Sequence, residues 1–233
     1  MLLFRRPHHN AVLAVLHALN GALFREADCY FGGGTAIALE LDEYRESVDV
    51  DFLCSSQKGY RKLRESVWVD GFTALTKPGA KVSALRDLQS DQYGIRTFVQ
   101  AGDVRIKFEI VREARIALSG AMDERYGIPV LARSDMFAEK LLANADRWPD
   151  RAVRSRDIID LSMMISRWGD IPPSSWKKAR LAYGETVDRA YESAVDAIRD
   201  VKWLGDCAQA MQMDEALVPE ILNVHGGPKP SIV

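Results

Sequence analysis

The chain has 233 residues, of which 47% are hydrophobic and 27% are charged, and its formal net charge at pH 7 is −2. This composition is typical of an ordinary soluble protein, and the length allows one large domain or two smaller ones. The near balance of 31 basic and 33 acidic residues excludes a globally cationic nucleic-acid binder. Any polyanion must therefore be bound by a local basic patch.

The three cysteines, Cys29, Cys54 and Cys207, are odd in number and lack the spacing of metal ligands. Free thiols in a reducing compartment therefore fit better than a disulfide framework. The N-terminal apolar run is too short for a signal peptide, and no apolar run approaches the roughly 20 residues of a membrane helix. We therefore expect a cytoplasmic protein without membrane contact.

Apolar residues recur at helical spacing from Asn10 to about Glu26 and predict one packing helix, which Asn10 is placed to cap. His8 and His9 precede this helix. An adjacent histidine pair lacks the ligand spacing of known zinc sites. We expect this pair to be solvated and assign it no role.

A glycine triplet, Gly32, Gly33 and Gly34, follows the apolar run that we predict as the first strand, and Thr35 begins a helix-like segment. Such a strand-to-helix turn aims backbone N–H groups at an anion, and glycines let the backbone approach a triphosphate closely. The Thr35 hydroxyl can add a hydrogen bond at the positive end of the helix. A need for positive φ alone would also explain the glycines, but the acidic strand that follows favours phosphate binding.

The run 48–53 alternates apolar and acidic residues, which predicts a strand with Asp49 and Asp51 on one face and apolar residues, from the first of the run, on the other. Adjacent carboxylates repel each other unless a cation lies between them, so the pair predicts a Mg²⁺ or Mn²⁺ site. A charged outer face of an edge strand is the alternative. Glu109 alternates in the same way on the later strand 104–110 and joins the pair if the two strands are neighbours.

Between these strands, a helix predicted from Ser55 or Ser56 to about Asp70 has an apolar side that includes Trp68. Its exposed side carries a cationic run: Arg61, Lys62 and Arg64. Such a run is usually a solvated helix face, although it can also hold a polyanionic acceptor. Further strands are predicted at 93–100 and 104–111, as a hairpin, and at 115–118 and 128–132. Beyond Ser134 nearly every segment has helical periodicity.

Several of these residues resemble the signature of the nucleotidyltransferase superfamily, specifically its AbiEii/AbiGii toxin branch. Gly33-Gly34-Thr35 and then Arg45-x-Ser47-x-Asp49-x-Asp51-Phe52 carry the first part of the resemblance. Glu139-Lys140-Leu141 with Arg147, and then Arg156-Asp157-Ile158-Ile159-Asp160-Leu161, carry the second. The order and spacing of these segments jointly make the resemblance specific.

The resemblance implies an α/β fold, with a nucleotidyltransferase-like mixed sheet and flanking helices at residues 1–132 and a helical lobe at 133–225; residues 226–233 are predicted to form a flexible tail. It implies the metal ligands Asp49, Asp51 and Glu109, which are catalytic together with Lys140. It also implies a set of NTP-binding residues: Gly33, Gly34, Thr35, Arg45, Ser47, Lys140, Arg156, Asp157 and Asp160. Lys140 and Arg147 fall on helix faces open to a cleft, and a polar staple between helices is an alternative role for Asp157 and Asp160.

The implied activity is metal-dependent transfer of a nucleoside monophosphate from an NTP to an acceptor, with release of pyrophosphate. The toxin branch implies RNA as the acceptor, most directly a tRNA 3′ end, and a separate antitoxin protein as a partner. Transfer to a small molecule or a protein hydroxyl is the alternative within enzymes. A nucleotide-binding module without turnover is a further alternative, which the three acids disfavour.

Overall fold

The computed structural model describes residues 3–228, so the last five residues of the predicted tail lie outside the described part. Contacts between Cα atoms group the residues up to Leu39 with Ser47–Ala132 in one compact unit. Glu40–Glu46 and the residues from Arg133 onward form a second unit. The sequence analysis placed residues 40–46 with the first domain, whereas their contacts place them with the helical second half.

The first unit contains a mixed sheet with the strand order β3-β5-β6-β2-β1-β8-β7, and β4 pairs with β5 off this path. The strands are β1 (Cys29–Gly32), β2 (Val50–Cys54), β3 (Val82–Ala84), β4 (Gln89–Ser90), β5 (Gly94–Ala101), β6 (Val104–Arg112), β7 (Gly120–Asp123) and β8 (Ile128–Leu131). The β2–β6 and β1–β8 pairs are parallel, and the other pairs are antiparallel. The predicted α/β class with a mixed sheet is confirmed.

Four helices accompany the sheet: α1 (Pro7–Ala18), α2 (Gly21–Glu26), α3 (Gly33–Glu40) and α4 (Gln57–Asp70). The second half supplies six more: α5 (Arg133–Arg147), α6 (Arg156–Trp168), α7 (Pro173–Tyr183), α8 (Thr186–Ile198), α9 (Val201–Ala210) and α10 (Leu217–Val224). Short 3₁₀ turns follow α4 at Gly71–Leu75 and precede α6 at Arg151–Val153. Within the part of the chain that is described, no helix is both long and apolar enough to cross a membrane.

Aromatic packing forms the core beneath the central strands. Phe52 on β2 contacts Phe31 on β1, Phe108 on β6 and Phe24 on α2, with ring centroids 5.7, 5.9 and 4.4 Å apart. All four rings are fully buried. Because side chains alternate along a strand, this apolar face leaves the polar residues of β2 and β6 on the opposite face. In the second unit, α5 packs against α6, α7 and α8.

Two helices replace the single helix predicted from Asn10 to about Glu26. The Asn20 side chain accepts a hydrogen bond of 3.3 Å from the Leu23 N–H and caps α2, and Gly21 follows it. Asparagine competes with the helix for backbone hydrogen bonds and glycine has low helix propensity, so the chain breaks between α1 and α2.

The expectation of a solvated histidine pair is wrong. His8 and His9 lie inside α1, which begins at Pro7, a residue type that favours the first helical turn. His9 is fully buried. The pattern misled because the ring of His9 is buried against a chain segment that is distant in sequence.

Three other elements differ from their predictions. β2 begins at Val50, and Val48 is 41% exposed rather than buried. Trp68 is 88% exposed, because the buried stripe of α4 is narrower than predicted. No strand forms at Arg115–Leu118 among the described residues, since the Glu113 carboxylate accepts from the backbone N–H groups that follow it; β7 forms further along.

Gly59 of α4 packs directly on the backbone of residue 27, and a Cβ at this position would lie 1.9 Å from the Ala27 carbonyl oxygen. Gly59→Ala should therefore lower the free energy of unfolding by about 1–3 kcal/mol, because the backbones must separate. Gly205→Ala in α9 is the matched control. A Cβ there meets open space. The free energy of unfolding of this variant should therefore rise by about 0.5–1 kcal/mol, because alanine has the higher helix propensity. Equal denaturant midpoints for the two variants would contradict the close packing of α4.

Candidate active site

The glycine turn lies directly beside one of the predicted carboxylates. Gly32 ends β1 and pairs with Asp51 across the antiparallel β1–β2 ladder, and α3 begins at Gly33. Gly33 has a φ of +71°, and a Cβ on it would lie 3.0 Å from a carboxylate oxygen of Asp51. Only a residue without a side chain allows this approach. The backbone of the turn and the Asp51 carboxylate therefore share one site.

Asp51 also lies beside Glu109. The parallel β2–β6 pair places these two residues opposite each other in register, which confirms the predicted neighbour relation of the two strands. Residues directly opposite one another point to the same face of a sheet. Asp49 precedes the first residue of β2 and is half-buried, as Asp51 is. The structure thus places Asp51 and Glu109 side by side, with Asp49 two residues before Asp51 in the chain.

Both carboxylate oxygens of Glu109 have cationic partners. Arg96 on β5 donates from Nε at 2.7 Å, and Lys107 on β6 donates from Nζ at 2.6 Å. Burial raises the pKa of Glu109, but the hydrogen bonds from Lys107 and Arg96 outweigh burial and lower the pKa below its ordinary value. Glu109 is therefore held as an ionised partner of two cations, and its role as a third metal ligand stays a prediction.

Lys107 shows which sign of charge this face stabilises. Burial lowers the pKa of its ammonium, but the hydrogen bond to Glu109 and the charge of that carboxylate raise it. Asp51 and Asp49 raise the pKa of Lys107 further, and it ends above its ordinary value. Across residues 3–228, no group of three or more His, Cys, Asp or Glu side chains is arranged to hold a metal ion. The donor chemistry fits a hard cation at Asp49 and Asp51, with Glu109 engaged by its own cations.

A hydroxyl pair connects the glycine turn with the segment before β2. Thr35 in the first turn of α3 is 1% exposed, and its Oγ1 lies 2.8 Å from Oγ of Ser47. Gly34 precedes Thr35 and is partly exposed. The first N–H groups of a helix have no acceptor within the helix, so the turn retains donors for an anion. The structure thus places Ser47 beside Thr35, directly after Gly33 and Gly34, and the role of these residues in NTP binding stays a prediction.

In the second unit, other residues of the predicted set form a buried charge network. Asp160 on α6 accepts hydrogen bonds from Arg45, through Nε at 2.7 Å and Nη2 at 3.0 Å, and from the Tyr44 hydroxyl at 2.5 Å. The side chains of Arg45 and Asp160 are 4% and 0% exposed. Arg45 is therefore committed to an internal carboxylate.

Lys140 and Arg147 on α5 complete this buried charge network. Nζ of Lys140 lies 3.0 Å from Asp157 and 2.6 Å from Asp160. Arg147 donates to Asp157 through Nε at 2.6 Å and Nη2 at 2.9 Å. The Lys140 side chain is only 8% exposed, so the expectation that it lies on an open helix face is wrong. Its role in nucleotide binding stays a prediction.

The buried charge network keeps both carboxylates ionised. Burial raises the pKa of Asp160, but the charges of Arg45 and Lys140 outweigh burial and lower it well below its ordinary value. The pKa of Asp157 is lowered in the same way, by Lys140 and Arg147 against burial. These contacts form a polar staple between α5 and α6. Arg156, the first residue of α6, is exposed and faces solvent.

The sequence analysis missed Arg96, Lys107 and Tyr44 as partners of the acids. Arg96 and Lys107 alternate with apolar residues on the predicted hairpin, so the period-two pattern that selected Glu109 also places them on its face. Tyr44 lies in an irregular segment, where periodicity gives no signal.

Comparisons with known proteins give a family and a similar fold. A family profile described as "Nucleotidyl transferase AbiEii toxin, Type IV TA system" matches residues 16–224. No curated protein matches the chain. A solved H. pylori structure, provisionally named as a nucleotidyltransferase, has a TM-score of 0.50 and 15% identity over 94% of this chain and 92% of that chain. An antigenic nucleotidyltransferase-like protein from Paracoccidioides brasiliensis has a TM-score of 0.49 and 14% identity over 99% of this chain and 98% of that chain.

Asp160→Asn should lower the free energy of unfolding by about 3–5 kcal/mol, because breaking this buried ion pair leaves the Arg45 guanidinium without its counterion and Lys140 with Asp157 alone. Denaturant unfolding measures this loss. Asp188→Asn is the matched control, since Asp188 pairs with Arg180 at a half-exposed position, and its loss should stay below about 1 kcal/mol. Similar losses in the two variants would contradict a buried network.

The same variant has a pH signature. Folding lowers the pKa of Asp157 and Asp160. The network therefore makes its full contribution to the free energy of unfolding above about pH 5. This contribution is lost below about pH 4, as the pH falls toward the pKa values of the folded state. The wild type should therefore lose stability on acidification more steeply than Asp160→Asn does.

Proposed function

The chain belongs to the AbiEii family of nucleotidyl transferase toxins and is a nucleotidyltransferase, and we propose that it moves a nucleoside monophosphate from an NTP to an RNA acceptor with a divalent cation. The observation that carries this proposal is the register of Gly32, Asp51 and Glu109 across β1, β2 and β6. This register sets a carboxylate against a glycine turn at a helix N-terminus. A carboxylate suits the metal ion and backbone N–H donors suit the phosphates of a metal-bound triphosphate.

We propose that Asp49 and Asp51 hold Mg²⁺ or Mn²⁺. When bound, the cation neutralises phosphate charge and orients the reacting groups. The contact with Gly33 fixes where the Asp51 carboxylate lies relative to the phosphate-binding backbone. A lowered pKa makes Glu109 a weak base. A contact of Glu109 with the cation or the acceptor hydroxyl would require its release from Lys107.

Backbone N–H groups at Gly33 and Gly34 would bind the β- and γ-phosphates at the positive end of α3. A hydroxyl has one proton and two acceptor lone pairs. Since Thr35 and Ser47 bond each other, one of them donates its proton within the pair, and the one that accepts keeps its own proton for a phosphate oxygen. This arrangement supports a direct phosphate contact by one hydroxyl, which the other positions.

The second unit contributes cations in two ways in this proposal. Two of the three N–H groups of Lys140 are used by Asp157 and Asp160, which leaves one for a phosphate oxygen. Arg45 shares the Asp160 carboxylate and so helps to fix the Lys140 ammonium. Arg156 is exposed and keeps its proposed role as a direct phosphate ligand. In this proposal Asp157 and Asp160 serve NTP binding by holding the Lys140 ammonium.

The surface of α4 favours a nucleic-acid acceptor. Arg61 and Arg64 line two adjoining grooves, of about 450 and 390 Å³. The first groove also contains Lys58 and Arg112, and the second contains the exposed ring of Trp68. Cations that follow a phosphate backbone, next to an aromatic ring on which a base can stack, are typical of single-stranded nucleic-acid binding. Lys62, which was predicted in the same cluster, pairs with Glu26 instead.

We therefore propose RNA as the acceptor, a tRNA 3′ end within that class, and a cognate antitoxin protein as the partner that the family description implies. The described cysteines, Cys29, Cys54 and Cys207, are buried free thiols, which fits the cytoplasm as the proposed place of action. Transfer to a small molecule or a protein hydroxyl, and nucleotide binding without turnover, are the competing outcomes of the experiments.

Asp49→Asn and Asp51→Asn should each abolish nucleotidyl transfer, because an amide binds a divalent cation more weakly than a carboxylate does. Neither variant should unfold, since removing one of two neighbouring like charges relieves repulsion. Transfer is measured with radiolabelled NTP, Mg²⁺ and total RNA, in parallel with thermal unfolding. Asp103→Asn, in the exposed turn between β5 and β6, is the control. A transfer rate close to that of the wild type in either site variant would contradict the proposed metal site.

The α4 variants test the acceptor. Trp68→Ala, and Arg61→Ala combined with Arg64→Ala, should raise the KM for RNA and leave the KM for NTP nearly unchanged. The arginine effect should shrink as salt rises, whereas the loss of base stacking, about 1–3 kcal/mol, should persist. Lys62→Ala is the matched control, because this exposed cation of α4 is paired with Glu26. Wild-type KM values for RNA in both α4 variants would favour another acceptor.

A further inference from the structure

Two adjacent histidines of α1 hold the segment that precedes β2. The Ser47 N–H donates to Nε2 of His9 at 3.2 Å, and Nε2 of His8 lies 2.9 Å from the Val48 carbonyl oxygen. A backbone N–H can only donate and a carbonyl can only accept. His8 therefore carries a proton on Nε2, whereas Nε2 of His9 presents a lone pair. The two neighbouring rings therefore use the same nitrogen, Nε2, in opposite roles, as donor in His8 and as acceptor in His9.

These bonds come from a fixed element and end beside the acids. The buried face of α1 includes His9, which is 0% exposed, and the helix packs on β5 and β6. Ser47 is also bonded through its hydroxyl to Thr35 in the first turn of α3. Side chains from two helices thus fix Ser47 and Val48, the two residues immediately before Asp49. In this segment, side chains provide hydrogen-bond partners for backbone groups that would pair with a neighbouring strand if the segment were part of a sheet.

We propose that His8 and His9 form a backbone clamp that positions Asp49 and Asp51. The inference rests on the metal-binding role proposed for these carboxylates. In this arrangement neither ring touches the cation or the nucleotide, so both histidines are positioning residues. Two neighbouring carboxylates repel each other in the absence of a cation, and the clamp opposes the displacement that this repulsion would cause. A displacement of about 1 Å at a reacting site can cost about a hundredfold in rate.

The chain offers a matched control for the clamp. His17 lies on the same helix, and its Nε2 is 2.8 Å from the Arg125 carbonyl oxygen in the turn between β7 and β8. His8→Ala and His17→Ala therefore each delete one histidine–carbonyl hydrogen bond from α1. His9→Gln keeps an acceptor at the end of a side chain of similar length, whereas His9→Leu removes it and retains an apolar volume.

We expect kcat to fall about tenfold in His8→Ala and about a hundredfold in His9→Leu, with the KM for NTP within about threefold of wild type. His9→Gln should recover most of the loss, and His17→Ala should match the wild type. Thermal unfolding separates a folding defect of His9→Leu from lost positioning, and the surface variant His8→Ala remains decisive if His9→Leu does not fold. The proposal is overturned if His8→Ala is as active as His17→Ala, or if His9→Gln loses as much activity as a folded His9→Leu.

Amide hydrogen exchange of Ser47 tests the clamp without any activity. Its N–H should exchange about tenfold faster in His9→Leu than in wild type, as expected for the loss of one hydrogen bond. His9→Gln and His17→Ala should retain the protection. If Ser47 responds in this way but the wild type transfers nucleotide to no acceptor, the failure lies with the proposed function and the clamp stands. Unchanged protection of Ser47 in His9→Leu would show that the clamp is wrong.

Discussion

The approach of the Asp51 carboxylate to the backbone of Gly33 is the constraint on which the arrangement of the first unit depends. It fixes the register of β1 on β2, because a slip of one residue would turn Asp51 to the opposite face of the sheet. β6 then pairs in the register that places Glu109 beside Asp51. The same alternation sends the aromatic side chains to the other face, where Phe31, Phe52 and Phe108 pack. One set of pairings therefore determines both the core and the polar face.

Patterns that depend on neighbours in sequence predicted much of this arrangement. Period-two alternation placed Asp51 and Glu109 on strands, and helical periodicity marked the second half of the chain. The pairing of Glu109 with Arg96 follows from strand register, and a single sequence carries little information about register. Lys140 shows a second limit of prediction from sequence. Burying an isolated charge is very costly, so a sequence pattern predicts that a lysine on an amphipathic helix is exposed to solvent. Only knowledge of its two carboxylate partners reverses that assignment.

Both units contain neighbouring carboxylates that repel each other, and the two units stabilise these charges differently. In the first unit, Asp49 and Asp51 remain half-buried and Lys107 moderates their charge from the adjacent strand. In the second unit, the carboxylates of α6 are removed from water and surrounded by cations, among them Lys140. A buried ion pair adds little net stability but is costly to break. The first arrangement leaves the acids partly open to solution, while the second holds helices in one register.

Arg45 has a consequence for how this protein can be divided. It lies in Glu40–Glu46, a short stretch encoded within the N-terminal half whose contacts belong to the second unit. A fragment beginning at Arg133 would keep Asp160 but lose the guanidinium that bonds both of its oxygens. Proteolysis or gene truncation at the apparent boundary would therefore yield a helical fragment in which Asp160 keeps Lys140 but lacks Arg45 and Tyr44. The helical second unit is therefore complete only with the seven residues Glu40–Glu46, which the N-terminal half of the chain supplies.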